Sequence, residues 1–208
     1  MSNPFDLFPQ EYDSWFDRYP KVFESEVVLF RRLLDGEIPE NSLEIGVGTG
    51  RFAKALGIRF GVDPAERALK LAQRRGIAVV KGVGEDLPFR DGAFELVLIN
   101  TVLCFCRDPS RLLAESRRVV KSGGRLVVGF IERESPLGRL YSEKGGRFFS
   151  VARLLSFREV DEGIVKAGFR IQRVMQTLFG ELSPDRFEEP EPGWGRGSFV
   201  GILALKNP

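Results

Sequence analysis

Leu43-Glu44-Ile45-Gly46-Val47-Gly48-Thr49-Gly50 is the stretch on which the reading of this 208-residue chain turns. Leu43 to Ile45 read as the end of a buried strand. Gly46, Gly48 and Gly50 then make a turn, and Arg51 to Leu56 start a helix. Glycine at alternate positions lets the backbone take positive φ and removes the Cβ atoms that would hold a ligand away. The helix behind the turn directs its free N–H groups and positive dipole end toward whatever sits there. The turn therefore offers bare backbone to a polar or anionic group. The plain alternative is a tight strand-to-helix turn that holds nothing.

Two ligand classes are disfavoured by the residues that follow. A phosphate-cradling loop needs Gly-Lys-Ser/Thr, and Gly50 is followed by Arg51-Phe52. The dinucleotide fingerprint G-x-G-x-x-G needs glycine where Arg51 stands. What is present is G-x-G-x-G with an acid, Glu44, two positions before its first glycine. That pattern resembles motif I of the class I S-adenosylmethionine-dependent methyltransferases. The chemistry is compatible, because the methionine end of that ligand carries an ammonium, a carboxylate and a sulfonium but no phosphate.

Composition narrows the field further. The length fits one domain with a sizeable core. With 43% hydrophobic residues and a net charge of +2, the chain is too weakly charged to argue for nucleic acid. It has neither an apolar run of membrane-spanning length nor a cationic-then-apolar leader, so a cytoplasmic location is the default expectation. Cys104 and Cys106 point to opposite faces of an extended segment, which makes a disulfide between them improbable. The absence of histidine removes the commonest metal ligand and the usual general base, and no metal site is expected.

Along the chain, residues 1 to 40 read as a helical cap, with Phe23, Val27, Phe30 and Leu34 on one face. The aromatic stretch from Tyr12 to Tyr19 is either an anchor for this cap or a flap that covers a ligand with a tyrosine hydroxyl. Ile58 to Val62 form a second strand. Asp63-Pro64-Ala65-Glu66 then reads as N-cap, N1 and N3 of a helix. Asp63 also stands at a strand end, where its two oxygens suit the hydroxyls of a ribose. A third strand over 77–81, a fourth over 94–99, a helix from Asp108-Pro109 and a fifth strand over 125–131 complete an alternation that implies a doubly wound parallel sheet. Its crevice lies at the carboxyl ends of the strands.

The order and spacing of Glu85-Asp86-Leu87-Pro88-Phe89, Phe94-Glu95-Leu96-Val97, Asp108-Pro109 and Val119 to Leu126 sharpen the resemblance to small-molecule class I methyltransferases. The resemblance covers about residues 40 to 131 and implies an α/β fold with a Rossmann-like, seven-stranded sheet, mostly parallel with an antiparallel last strand. It implies S-adenosyl-L-methionine as methyl donor and a small-molecule acceptor. The donor site would comprise Glu44, Gly46, Gly48, Gly50, Asp63, Pro64, Gly84, Glu85, Asp86, Asn100 and Thr101. Departures are also visible. Val83 stands where many relatives have an aspartate for the adenine amino group, which leaves that role to Glu85 or a backbone carbonyl. Leu103 to Cys106 replace a segment that often carries histidine. The Asn-Pro-Pro-aromatic signature of nucleic-acid amino-methyltransferases is missing, since Asn100 precedes Thr101-Val102.

Beyond residue 131, short helices are expected over the strand ends. Ser156 to Glu159 make a capping box, and strands over 169–179 and 198–206 pair at the sheet edge. The loop over 180–197 is long enough to be functional or disordered. The expected organisation is a single domain over 1–208: a cap over 1–40, a donor-binding core over 41–131, and substrate-side helices with a hairpin over 132–208. Acceptor-side candidates are Tyr12, Tyr19, Cys104, Tyr141 and Trp194. Tyr12, Tyr19, Tyr141 and Glu132 are the candidate bases, with none singled out as catalytic. The competing readings are a module that binds the donor without turnover and a nicotinamide-dependent oxidoreductase. The oligomeric state is not readable.

Overall fold

The structure, a computed structural model, describes residues 3–207. Residues 1, 2 and 208, the ends of the expected domain, lie outside the described residues. Three helices come first: α1 (Pro4–Leu7), α2 (Pro9–Arg18) and α3 (Pro20–Leu33). Each starts with proline at its first position, where the missing N–H costs nothing. The alternating part follows as β1 (Ser42–Ile45), α4 (Arg51–Leu56), β2 (Phe60–Asp63), α5 (Glu66–Arg74), β3 (Ala78–Lys81), β4 (Phe94–Asn100), α6 (Pro109–Val119) and β5 (Val120–Ile131). The chain continues with α7 (Pro136–Lys144), α8 (Gly146–Phe149), α9 (Phe157–Lys166), β6 (Phe169–Thr177), β7 (Glu191–Pro192) and β8 (Phe199–Lys206).

The strand order is β3-β2-β1-β4-β5-β8-β6-β7. β1 to β5 pair in parallel, and β8 runs antiparallel between β5 and β6. β1 is buried at every position and β4 at all but one, and β4 is apolar along most of its length, as a strand covered on both faces must be. On one face Leu29, Phe30 and Leu33 of α3 pack with Phe52 and Phe199. On the other, Leu112 and Leu113 of α6 pack with Val160 and Ile164 of α9. The order reverses between β1 and β4, so the crevice opens at the carboxyl ends of these two strands.

Two expectations are corrected. The sheet has eight strands rather than seven. The extra one, β7, is a two-residue edge pair with Met175 and Gln176. The Gln176 side-chain oxygen accepts the Arg196 and Gly197 N–H groups at 2.9 and 2.8 Å and holds the loop along β6. Pro192 fits there because an outer edge needs no further donor. The fifth strand also begins at Val120 and not at Arg125. The strand runs on through Ser122-Gly123-Gly124. Gly123 takes φ +73°, and β5 pairs from Phe94↔Val120 with a register shift before Leu96↔Arg125.

Candidate functional site

The glycine turn leaves β1 at the reversal of strand order and is fastened to β2, with Gly46 and Val47 N–H donating to the Val62 carbonyl at 2.8 and 3.1 Å. The three glycines serve different ends. At Gly46 (φ +71°) a Cβ would sit 2.2 Å from Val102 Cγ2, so its space is filled by protein. Gly50 is likewise closed off by Ala72. At Gly48 (φ +50°) a Cβ would meet nothing nearer than Tyr12 Cε1 at 3.9 Å. Of the three, Gly48 presents backbone to open space.

Asp63 is not the helix cap that its sequence context indicates. α5 starts two residues later, with Ala65 at its N-cap position and no side-chain cap. Asp63 ends β2, and its carboxylate bridges the strand end to the turn. One oxygen accepts the Ala65 N–H at 2.8 Å and the other the Gly48 N–H at 2.9 Å. Burial raises its pKa, and these two N–H groups oppose the rise. Glu44 sits on β1, 2% exposed, and its Oε2 has no hydrogen-bond partner among the described residues. Burial, with Asp63 nearby, pushes it well above the carboxylate range.

At the end of β4, Thr101 takes φ +55°, a conformation that costs a β-branched residue free energy. Its hydroxyl donates to Asn100 Oδ1 at 3.1 Å. Gly84 is packed by Leu112, 2.6 Å from where a Cβ would stand. The Glu85 carboxylate is directed at the start of α6 and accepts the Arg107 N–H at 2.8 Å. Pro64 and Asp86 are exposed.

The N-terminal helices lie across this turn. Asp6 accepts the Arg67 N–H at 2.8 Å, at the first turn of α5. Arg51 binds Asp13 at 2.7 Å and Asp17 at 2.8 Å, and Arg75 binds the same Asp13 at 2.8 Å. Partial burial alone would raise the Asp13 carboxyl, but its hydrogen bonds to Arg51 and Arg75 bring it down to about 2. These pairs hold α2 so that the Tyr12 ring faces the open space beside Gly48, its Cε1 3.9 Å from where a Cβ there would stand. The Tyr12 hydroxyl is enclosed, and its pKa is raised by burial first and then by Glu26, Glu44, Asp63 and Cys104 around it.

Beyond Tyr12 lies a cavity of about 240 Å³, with walls from α2, α3, α7 and α8 and with Thr101 on its rim. Tyr12 and Tyr141 line it. Tyr19 packs at a tilt against Trp15, with ring centroids 5.2 Å apart, and Trp15 lines the cavity. Cys104 is buried, its thiol donates to the Thr101 carbonyl at 3.7 Å, and burial pushes it up to about 12. Glu132 is turned away and accepts the Phe157 N–H at 3.3 Å. Trp194 is set apart from the cavity. It stacks on Phe157 at 4.2 Å and is 47% exposed. A more open hollow lined by Phe179, Arg186, Glu188 and Glu191 belongs to the 180–191 loop, away from the strand ends.

A methyltransferase-domain family model matches residues 43–128. A crystal structure of a SAM-dependent methyltransferase, possible histamine N-methyltransferase, from Thermotoga maritima superposes with a TM-score of 0.91 at 40% identity, over 98% of each chain. This chain belongs to the S-adenosylmethionine-dependent methyltransferases. An uncharacterised protein of Methanocaldococcus jannaschii is 43% identical over 98% of this chain and 99% of its own length. The malonyl-[acyl-carrier protein] O-methyltransferase of Geobacter sulfurreducens is 27% identical over 89% of this chain and 75% of its own length.

With membership of this methyltransferase family the nicotinamide alternative lapses. Arg51, in the place of the missing glycine, is the clamp on α2. Two features of the methyltransferase escaped the sequence reading. One is this clamp, built from residues 38 apart in sequence. The other is Glu26, a buried carboxylate on the cavity wall. Its signal was available, since Glu26 falls three residues after Phe23 and four before Phe30, on the apolar stripe of α3.

Among the described residues no helix is long and apolar enough to cross a membrane, and no cluster of metal-ligating side chains is present.

Proposed function

We propose that this methyltransferase acts on a small molecule seated in the aromatic cavity, and that its donor lies along the glycine turn. The observation that carries the reading is the position of Tyr12 between the two compartments. Its Cε1 lies 3.9 Å from where a Cβ on Gly48 would stand, and the same ring lines the cavity. The acceptor is thus delivered to the ends of β1 and β4 through a side chain rather than across an open face.

The residues of the turn fit the donor. The unpartnered Glu44 Oε2 suits an ammonium group, and an ammonium beside it would reverse the burial that now favours its proton. Asp63 uses one lone pair of each oxygen on backbone N–H groups. A carboxylate offers about four such sites, so two ribose hydroxyls can still be accepted. Gly48 leaves room for close backbone approach. Pro64, Gly84, Glu85, Asp86, Asn100 and Thr101 would flank the nucleoside. When bound, S-adenosylmethionine supplies a methyl group already activated by a sulfonium leaving group. The chain's own contribution is then alignment and exclusion of water, which α2 and the cavity walls perform.

Two experiments test this. Calorimetric titration should show binding of S-adenosylmethionine and adenosylhomocysteine but not of NAD, with weaker binding in Asp63→Ala. Incubation with methyl-labelled donor and a metabolite extract should place label in the small-molecule fraction. Label found only in protein or RNA would overturn the small-molecule reading.

A further inference from the structure

One carboxylate lining the cavity has no hydrogen-bond or ion-pair partner among the described residues. Glu26 projects from the middle of α3, is 8% exposed and lines the cavity. Burial acts on its carboxyl unopposed by any hydrogen bond or ion pair among the described residues, and pushes it up to about 8. Two acids elsewhere behave differently. Glu132, equally buried, holds the Phe157 N–H, and Glu188 holds the Phe179 N–H. A buried carboxyl with no partner is unfavourable in either protonation state, because neither its charge nor its proton is satisfied.

The walls around it are aromatic. Tyr12, Trp15 and Phe16 come from α2, Tyr141 from α7, and Phe148 and Phe149 from α8. Tyr141 and Phe149 stack at 4.1 Å. Aromatic faces attract a cation, and a buried carboxylate accepts its N–H bonds. An anion would be repelled, and a neutral hydroxyl compound would leave a buried charge unpaired.

Other titratable and charged groups also face this space. The Tyr12 and Tyr141 hydroxyls face Glu26 from α2 and α7, and burial, reinforced by the Glu26 charge, keeps both protonated. Glu11 and Arg18 of α2 and Arg147 of α8 line the exposed mouth. Arg147 is held there by Glu11 at 3.1 Å and by the Phe8 ring at 4.0 Å.

We propose that the acceptor is an amine that enters as an ammonium ion, and that Glu26 is both its counter-ion and the acceptor of the proton it must lose before methylation. The proposal rests on the small-molecule reading above and names its substrate class. An N–H bond of the ammonium breaks, its electron pair stays on nitrogen, and a Glu26 oxygen gains the proton. That pair then forms the N–CH₃ bond while the donor's C–S bond breaks with its pair retained by sulfur. The positive charge passes from sulfur to nitrogen, and a thioether leaves.

The test uses the full chain saturated with adenosylhomocysteine at pH 8. The titrants are benzylamine, phenethylamine and butylamine, each compared with its alcohol. At least one amine should bind ten-fold or more tighter than its alcohol, and Glu26→Gln should abolish that preference. In the wild type, kcat/KM for that amine should fall on the acid side of about pH 8, and the limb should be absent in the variant. Alcohols binding as well as amines, no amine binding, or a preference that survives Glu26→Gln would each overturn the proposal. Adenosylhomocysteine affinity separates the failures. If it is retained while the amines fail, only the acceptor assignment falls; if it is lost, the donor-site reading falls as well. Should Glu26→Gln fail to fold, the wild-type acid limb decides alone, its presence supporting the proposal and its absence overturning it.

Discussion

The two halves of the proposed site are built by different means. The proposed donor side consists of strand ends, one glycine turn and the carboxylates of adjacent strands, all within residues 44 to 101. The proposed acceptor side consists of side chains from α2, α3, α7 and α8, with Thr101 at the junction. The first half is backbone held by a parallel sheet, and its geometry follows once β1, β2 and β4 are paired. The second is a packing of aromatic rings around a carboxyl, and it exists only when the N-terminal helices are clamped onto the sheet. A backbone site can be shared across a family whose acceptors differ, whereas a side-chain site can be rebuilt for each acceptor.

The comparison can be broken most severely at Gly46. Gly46→Val would need φ +71° and would drive a side chain into Val102, so a loss of about 3 kcal/mol or more is expected in urea unfolding, with the turn disrupted. A variant of near-normal stability would show that the turn is not the rigid half.

Next in size is Glu26→Gln, which acts in the opposite direction. The folded pKa of Glu26 is raised from 4.5 to about 8, so the folded state holds a proton that the unfolded chain releases. Stability therefore declines as pH rises between those values. The variant should be more stable than the wild type at pH 9 by a few kcal/mol, and the difference should shrink to nothing near pH 4. Thermal melts at the two pH values check the sign.

Asp63→Ala is expected to weaken adenosylmethionine binding by about 1–3 kcal/mol, since it strands the Gly48 and Ala65 N–H groups and the ligand's hydroxyls. Acceptor affinity, measured with adenosylhomocysteine saturating, should stay within a few-fold. Asp13→Asn loosens the clamp between the halves. Because the Asp13 carboxyl is held at about 2, its contribution is present above about pH 4 and is lost as pH falls toward 2. A loss of about 1 kcal/mol at pH 7, reduced by added salt, is the expected outcome. Trp194→Ala should cost least, about 0.5–1 kcal/mol from the lost stack on Phe157, with an unchanged acceptor KM. A raised KM would return Trp194 to the acceptor side.

The donor half was legible because its signals are local. Three glycines in five residues, an acid two before them and an acid at the next strand end all lie within twenty positions. Even so, the local reading of Asp63-Pro64-Ala65-Glu66 as a capped helix start was displaced. The Gly48 N–H competes for the same carboxylate, and only the pairing of β1 with β2 brings the two together. The eighth strand was illegible for a similar reason, since two residues at an edge carry no periodicity and are placed only by pairing with Met175 and Gln176 of β6.

The acceptor half was legible only as a list of aromatics. Tyr12 and Tyr141 stand 129 positions apart by their numbering, and nothing in their spacing states that they face one cavity. Trp194 looked equivalent to them and is spent on Phe157.

The sequence by itself determined the alternating α/β architecture, the turn after β1 and the acids beside it. Periodicity, glycine conformational freedom and strand-end position act over a few residues and leave their mark in order along the chain. The tertiary structure alone decided which of the three glycines faces open space, that Arg51 clamps the N-terminal helices over the turn, and that Glu26 on an apolar helix face meets no partner. Those outcomes depend on which distant side chains fill the same volume, and that is settled only when the helices pack onto the sheet.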